Sequence, residues 1–189
     1  MVRPRDATID AAVLEAALEE LRTQGYAGFS LSAVATRAGT TRPALYRRWS
    51  GKEALVIDAV AHLADTAAPE RTGDTFADLV AELEDFRHCI CEAAALPLAG
   101  LVMGGELDAG VVAAYRERVV APRRSRLRGL LEEGVATGAL DADADLAVAG
   151  GLLTGSWYAL ALAGAAPPDD WATRAARLVW RACGGSPPA

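Results

Sequence analysis

Apolar side chains recur every three or four positions along most of the chain, and this period limits the fold more than any other feature. The first such stripe lies between residues 6 and 24 and consists of Ile9, Ala12, Val13, Ala16, Ala17 and Leu21. A period near 3.6 residues places these side chains on one face of an α-helix. Alanine supplies 42 of the 189 residues and aromatic residues only 6%, so few side chains favour strands. The sequence therefore predicts an all-α fold.

Glycine, proline and capping residues divide this helical pattern into segments. Gly25 is expected to end the first helix, and Ser30 to cap a second helix that runs to Ala38. Thr41 caps a third helix, with Pro43 in its first turn, where the missing N–H costs nothing. Further helices are predicted over residues 52–67, 109–136, 144–164 and 169–183, and another helix is predicted to begin at residue 74. A kink or break is expected at Pro122.

The charge of the chain is unevenly distributed. The net charge is −6, yet residues 1–55 carry eight basic and six acidic side chains, and residues 56–189 carry eleven and nineteen. Between Leu31 and Lys52 there is no acidic residue, and the cations there are Arg37, Arg42, Arg47, Arg48 and Lys52. An acidic protein with one cationic segment can still bind a polyanion through that segment.

The cationic segment also has the spacing of two short helices that meet at a tight corner. Gly39 can adopt the left-handed backbone that such a corner needs. Ala35 is small where the helices cross, and the side chains expected to pack inside the corner are Val34, Ala38 and Leu45. This arrangement is a helix-turn-helix that presents its second helix outward.

The outward residues of the second helix suit duplex DNA. Arginine can donate two hydrogen bonds to guanine, and Pro43 and Ala44 can lie against a thymine methyl group. Thr41, Tyr46 and Lys52 are suited to phosphate oxygens. The alternative is a helical hairpin with a solvated basic face and no nucleic-acid ligand.

Residues 9–55 resemble the N-terminal domain of TetR-type bacterial transcriptional regulators. The matching motifs are Gly25-Tyr26-x-x-Phe29-Ser30, Val34-Ala35-x-x-Ala38-Gly39, Leu45-Tyr46-x-x-Trp49 and Lys52-x-x-Leu55. The resemblance implies an all-helical homodimer whose two recognition helices enter successive major grooves of a palindromic operator. It implies base reading by Arg42, Pro43 and Arg47. It implies backbone contacts by Thr41, Ala44, Tyr46, Arg48 and Lys52.

The resemblance also implies a division of the chain. Residues 1–52 would form a three-helix, helix-turn-helix DNA-binding domain, residues 53–184 a larger helical ligand-binding and dimerisation domain, and residues 185–189 a frayed tail. A small-molecule effector bound in the larger domain would release DNA, with helix 52–67 transmitting the change. The mostly apolar candidate lining suggests an apolar or aromatic effector. The candidate pocket residues are Phe86, Cys89, Ile90, Met103, Glu106, Tyr115, Trp157 and Tyr158.

The segment from Leu146 to Ala166 contains no charged residue and has the length of a membrane span. Acidic residues flank it on both sides and no cation lies near, which argues against a span and for a helix covered by protein at a subunit interface. Small residues there would let a second helix approach closely. The predicted dimer contacts are Gly151, Thr154, Gly155, Tyr158, Trp171 and Leu178.

Other chemistry has little support in the sequence. His88, Cys89, Cys91 and Glu92 lack the spacing of a tetrahedral metal site, and no catalytic motif is found, so we expect no metal, cofactor or enzyme activity. Three cysteines without repeated spacing and a charged N-terminal region favour a cytoplasmic protein with no secretory signal. Two alternatives stay open: a helical small-molecule-binding or enzymatic protein with an incidental basic hairpin, and a DNA binder without an effector.

Overall fold

A computed structural model describes residues 7–66, 68–92, 96–105 and 107–187. These residues form helices joined by short loops, and they contain no strand, which confirms the predicted all-α fold. The helices are α1 (Ala7–Gly28), α2 (Leu31–Arg37), α3 (Arg42–Tyr46), α4 (Lys52–Thr66), α5 (Thr75–Glu92), α6 (Leu96–Gly104), α7 (Ala109–Tyr115), α8 (Ala121–Ala136), α9 (Leu146–Leu162) and α10 (Trp171–Ala182), with a π-helical segment (Arg116–Val120) between α7 and α8.

The helices begin where side chains can satisfy their unpaired N–H groups. The hydroxyl of Ser30 accepts from the N–H of Ala33, and Asp74 accepts from two N–H groups in the first turn of α5. The helical pattern of α1 breaks at Gly25, whose φ of 65° is left-handed, as the sequence predicts.

The chain packs as two compact units. The first unit comprises Met1–Thr66 and Cys89–Val120. In it, α1 packs on α2 and α4, and α4 packs on α7 and on the π-helical segment. The deepest side chains of its core are Val13, Ala17, Leu21, Val34, Leu45, Leu55, Val56, Ile57, Ala59 and Leu98.

The second unit comprises Ala67–His88 and Ala121–Ala189. In it, α9 packs against both α8 and α10. Its fully buried leucines are Leu79, Leu83, Leu127, Leu130, Leu131 and Leu153. These units follow packing rather than chain order, and the division of function at residue 52 stays a prediction.

A buried carboxylate fixes the loop that precedes α5. Asp78 accepts hydrogen bonds from the N–H and hydroxyl of Thr72 at 2.9 and 2.7 Å, from the N–H of Gly73 at 3.2 Å and from Arg71 at 2.9 Å. Burial alone would raise the pKa of Asp78, but these donors outweigh it and lower the pKa to about 2. The loop 68–74 is therefore anchored rather than a loose linker.

The break expected at Pro122 takes the form of a π-helical segment. Arg116–Val120 has the wider π register, and α8 begins directly after it with Pro122 in its first turn. Proline cannot donate the α-helical hydrogen bond to the carbonyl four residues earlier, which belongs to Arg118. The chain takes the wider π register in the turn directly before this proline.

The C-terminal segment packs against its own unit as far as the structure describes it. Gly185 is buried, and its N–H donates to the carbonyl of Trp180 at 2.9 Å. The side chains of Trp180 and Leu140 approach Gly185 so closely that a Cβ would stand 2.4 and 2.8 Å from them. Gly185, which the sequence assigns to a frayed tail, is thus held in place, and residues 188–189 lie outside the described part.

Within the described ranges, no single helix is long and apolar enough to cross a bilayer. The uncharged helix α9 has 17 residues, and the bent pair of α5 and α6 passes only on length and composition.

Candidate DNA-binding surface

Helices α2 and α3 form the predicted helix-turn-helix. Gly39 has a φ of 63°, and the N–H of Thr40 closes the corner by donating to the carbonyl of Ala35 at 2.9 Å. Val34 and Leu45 are almost fully buried inside the corner. The apolar contacts therefore fix how α3 leaves α2.

Helix α3 starts where the sequence predicts. Thr41 caps it by accepting from the N–H of Ala44, and Pro43 lies in the first turn. Helix α3 ends at Tyr46, and a turn continues it, because the N–H groups of Arg48 and Trp49 both donate to the carbonyl of Leu45 at 2.9 Å. The presented element is thus a short helix with one extra turn.

The side chains predicted to read bases lie on the surface of the first unit. Arg42, Pro43 and Arg47 are exposed, and so is the predicted backbone contact Thr41. Tyr46 is 49% exposed, and its hydroxyl accepts a hydrogen bond from the guanidinium of Arg42 at 3.0 Å. This contact aligns the Arg42 and Tyr46 side chains one helical turn apart.

Ala44 differs from its predicted position. The sequence places it among the outward residues, but it is only 8% exposed and packs on the inner side of α3. The reason is that Ala44 directly precedes Leu45, which fills the corner, so the two adjacent residues share the buried side of a very short helix. A thymine methyl group cannot reach the Ala44 side chain in this arrangement.

Acidic residues of α1 pair with two of the five cations in this segment. Glu20 forms an ion pair with Arg37 at 3.9 Å, and Asp10 forms one with Arg48 at 2.5 Å. Among the described residues, no ion pair involves Arg42, Arg47 or Lys52. Arg37 and Arg48 therefore face carboxylates of α1, whereas Arg42 and Arg47 are exposed without such a partner.

Lys52 is held by aromatic rings at the first residue of α4. Its ammonium nitrogen lies 4.2 Å from the centre of the Tyr26 ring and 5.9 Å from that of Phe29. Burial and the neighbouring carboxylate of Glu53 raise the pKa of Tyr26 to about 12, so the ring stays neutral. The two rings thus hold the Lys52 ammonium group beside the N-terminus of α4. The free N–H groups of that helix end also favour a bound anion.

Two protein-family descriptions match the chain. "Bacterial regulatory proteins, tetR family" covers residues 13–59, which include the whole helix-turn-helix. "Tetracyclin repressor-like, C-terminal domain" covers residues 69–179. The chain belongs to the TetR family. Members of this family are DNA-binding transcription regulators, generally without enzymatic activity.

Similar proteins agree with this TetR-family assignment over most of the chain. The uncharacterized HTH-type transcriptional regulator YdeS of Bacillus subtilis is 29% identical over 171 residues, which are 89% of this chain and 86% of that protein. The DNA-binding transcriptional repressor TetR of Mycobacteroides abscessus is 33% identical over 148 residues, 75% of each chain. The crystal structure of the TetR family transcription regulator SCO0332 is similar at a TM-score of 0.73 with 32% identity, covering 95% of this chain and 99% of that one.

Three residues of the predicted effector pocket lie close together in the second unit. Phe86, Trp157 and Tyr158 cluster in the second unit, with the Phe86 ring centre 6.3 Å from Trp157 and 5.8 Å from Tyr158. Burial raises the pKa of the Tyr158 phenol, although the nearby charge of Arg123 acts against this. Four other candidates belong to the first unit, and Glu106 lies outside the described residues. Those four are Cys89, Ile90, Met103 and Tyr115.

The predicted dimer residues separate into a surface group and a buried one. Gly151 and Leu178 are exposed, with Leu178 at 69%, and Thr154, Gly155 and Tyr158 are half-buried. Trp171 is instead buried against Phe86 and Trp157, and its indole N–H donates to Ser156 at 3.0 Å. Trp171 therefore packs inside its own chain.

Sequence reasoning missed several surface residues of these elements. The exposed apolar side chains Val148, Leu152 and Leu162 lie along α9, with Leu162 at 92% exposure. Their spacing in the uncharged segment was visible, but no feature of the sequence separated them from the buried residues of the same helix. The pairing of Asp10 with Arg48 was also missed, because it joins residues far apart in the chain.

In the part of the chain that the structure describes, no group of three or more His, Cys, Asp or Glu side chains is placed to hold a metal ion.

Proposed function

We propose that the protein is a homodimeric, effector-responsive repressor that binds a palindromic operator through the major groove. The observation that carries this proposal is the exposed start of α3, where Arg42, Pro43 and Arg47 face solvent with no ion pair to the described residues. A DNA-binding regulator works where the chromosome lies, so we also propose a cytoplasmic location.

In this proposal the two exposed arginines read bases. A guanidinium can donate two hydrogen bonds to the O6 and N7 atoms of guanine, and the Pro43 ring can lie against a thymine methyl group. Phosphates would be contacted by Thr41, Tyr46 and Lys52, and by Arg48 once it exchanges Asp10 for a phosphate. Ala44 belongs to the proposed backbone contacts only through its main chain, because its side chain is buried.

The exposed apolar face of the second unit supports the homodimer. Val148, Leu152 and Leu162 on α9, and Leu178 on α10, expose large apolar surface that an isolated chain leaves in water. At Gly151 and Gly155 a Cβ would meet nothing within 4 Å, so both positions are open to a close neighbour. A two-fold symmetric contact between α9 and α10 of two copies would cover this face.

The aromatic cluster of the second unit supports an apolar or aromatic effector. Phe86, Trp157 and Tyr158 present ring edges and faces to one another, and Trp171 completes the group. Apolar and aromatic side chains dominate the lining of small-molecule sites. We therefore propose that the effector contacts this cluster and that Phe86, Trp157 and Tyr158 are the most informative positions to vary.

The proposal is tested by selecting a duplex from a random-sequence DNA library with the wild-type protein. Binding of the selected duplex is then compared between wild type, Arg42→Ala and Arg47→Ala by fluorescence anisotropy. Loss of a base-reading arginine should cost about 1–3 kcal/mol and relax the preference at its base pair. Arg22→Ala, which removes an exposed arginine paired with Glu19 on α1, is the matched control.

Selection of no sequence by the wild type, or unchanged affinity and preference in both arginine variants, would contradict the proposal.

A further inference from the structure

Asp58 in α4 joins two parts of the first unit through its two carboxylate oxygens. Oδ2 accepts a hydrogen bond from the indole N–H of Trp49 at 2.9 Å. Oδ1 forms an ion pair with the guanidinium of Arg118 in the π-helical segment. One carboxylate thus connects the end of the DNA-reading turn to the segment that precedes Pro122.

The Trp49 end of this bridge is rigidly tied to α3. Trp49 is 7% exposed, and its main-chain N–H donates to the carbonyl of Leu45 at 2.9 Å. Leu45 fills the corner of the helix-turn-helix. A displacement of the Trp49 ring therefore moves the turn that carries Arg47 and Arg48.

The Arg118 end of the bridge lies in the π-helical segment. Pro122 disfavours the α register at the carbonyl of Arg118, and the chain adopts the rarer π register instead. A change to the α register would rotate the Arg118 side chain around the helix and take it away from Asp58. A cleft of about 370 Å³, lined in part by Leu14, His62 and Asp65, borders the pair and gives the guanidinium room to leave.

We propose that Asp58 is a positioning residue for DNA binding, which couples the register of the Arg116–Val120 segment to the orientation of α3. The inference rests on the proposed operator binding. An intact bridge holds α3 in the orientation that reads bases. Loss of either contact lets α3 change its orientation, and the affinity for DNA falls.

A purely structural role is distinguishable because the arginine of the ion pair is half-exposed, although the Asp58 side chain is only 19% exposed. The Arg118 side chain is 52% exposed, and exposed pairs contribute little to folding stability. Loss of the pair should therefore leave Tm nearly unchanged, so that a change in DNA affinity reports positioning. A long-range charge effect is also distinguishable. Through charge alone, loss of the Asp58 carboxylate would strengthen DNA binding, and loss of the Arg118 guanidinium would weaken it.

The experiment measures affinity for the selected duplex at several salt concentrations. We expect Asp58→Asn and Arg118→Gln each to weaken binding about fivefold or more, within the usual range of coupling between sites. The double variant should be little weaker than either single variant. Arg118→Lys should retain most of the affinity. Arg128→Gln, which breaks an exposed pair with Glu132 on α8, is the matched control and should bind as wild type.

The salt dependence separates positioning from direct contact. A residue that contacts phosphate contributes about one unit to the slope of log K against log salt, whereas a positioning residue contributes none. Unchanged slopes support the proposal. It is overturned if Asp58→Asn binds DNA as tightly as wild type or more tightly, or if Arg118→Gln lowers the slope by about one unit.

A DNA-free measurement keeps the two proposals separate. The indole N–H resonance of Trp49, assigned with Trp49→Phe, should shift in Arg118→Gln and in Pro122→Ala, while the resonances of Trp171 and Trp180 stay in place. A Trp49 resonance that is unmoved in both variants overturns the coupling, whatever the duplex selection shows. Failure of the selection with a shifted resonance would overturn operator binding alone.

Discussion

The Asp10 carboxylate occupies the place on Arg48 that a phosphate oxygen would take. The two side chains lie 2.5 Å apart, and each is only partly exposed. In the proposed complex with DNA, a phosphate would replace Asp10 at Arg48, whereas Arg47 would offer a solvated guanidinium directly. In this proposal the same residue type would have two different roles at adjacent positions, because Asp10 of α1 pairs with Arg48.

Removal of this competing carboxylate should strengthen DNA binding. In Asp10→Asn, Arg48 is released from its partner, so we expect tighter binding to all sequences and a salt slope larger by about one unit. Glu19→Gln removes the same charge from the same helix, where it pairs only with exposed Arg22. Equal effects of both variants in anisotropy titrations would show that net charge alone is responsible.

Elements of this fold are predicted well where the signal is local. Ser30, Thr41 and Asp74 cap N–H groups within three positions of themselves, and a helix begins directly after each of them. Gly25 breaks the helical pattern of α1 shortly before its last residue. The π-helical segment was not predicted, because proline forbids one register without stating which substitute the chain will take. The inward turn of Ala44 was also missed, since it depends on how deeply Leu45 enters the corner.

The anchored loop before α5 gives the second unit an acid-sensitive element. The pKa of Asp78 is lowered from 3.8 to about 2, so its ionised form stabilises the folded state at pH values above 3.8. This stabilisation is lost as the pH falls from 3.8 toward about 2. In thermal melts, Asp78→Asn should therefore lower Tm at pH 7, and the difference from wild type should shrink on acidification. A difference that is constant with pH would contradict this origin.

Two glycines of the second unit should respond oppositely to alanine. At Gly185 a Cβ would overlap Trp180, so Gly185→Ala should cost about 1–3 kcal/mol. At Gly129, inside α8, a Cβ would meet nothing within 4 Å, and alanine should stabilise by about 0.5–1 kcal/mol. Urea denaturation of the two variants checks both signs, and a neutral Gly185→Ala would show that the C-terminal segment is loose.

At the scale of the whole molecule, the exposed face of α9 governs the proposed assembly. Sequence periodicity identified an uncharged helix but could not show which side its own chain leaves bare, because that depends on the packing of α8 and α10. The structure shows Leu152 exposed and Leu153 buried, although the two residues are adjacent and chemically identical. Only the first can belong to a contact with a second copy.

A charge on this face should therefore prevent the proposed dimer. Leu152→Glu would place an unpaired carboxylate in an apolar contact, so we expect a monomer in sedimentation velocity and a large loss of affinity for a two-half-site duplex. Met103→Glu adds the same charge at another exposed apolar residue, which is on α6, and this variant should remain a dimer. A Leu152→Glu variant that stays dimeric would show that the dimer interface lies elsewhere on the protein.

The cation above the Tyr26 ring has a practical consequence, since Lys52 is the single lysine among the 189 residues. Reagents that acylate primary amines can modify this side chain and the terminal amine, and no other group of that kind in the sequence. A brief pulse of acetic anhydride followed by peptide mass spectrometry, which separates Lys52 from the terminal amine, would thus act as a footprint of this position. Shielding of that amine by a bound duplex would report occupancy of the reading surface without a label or any engineered substitution.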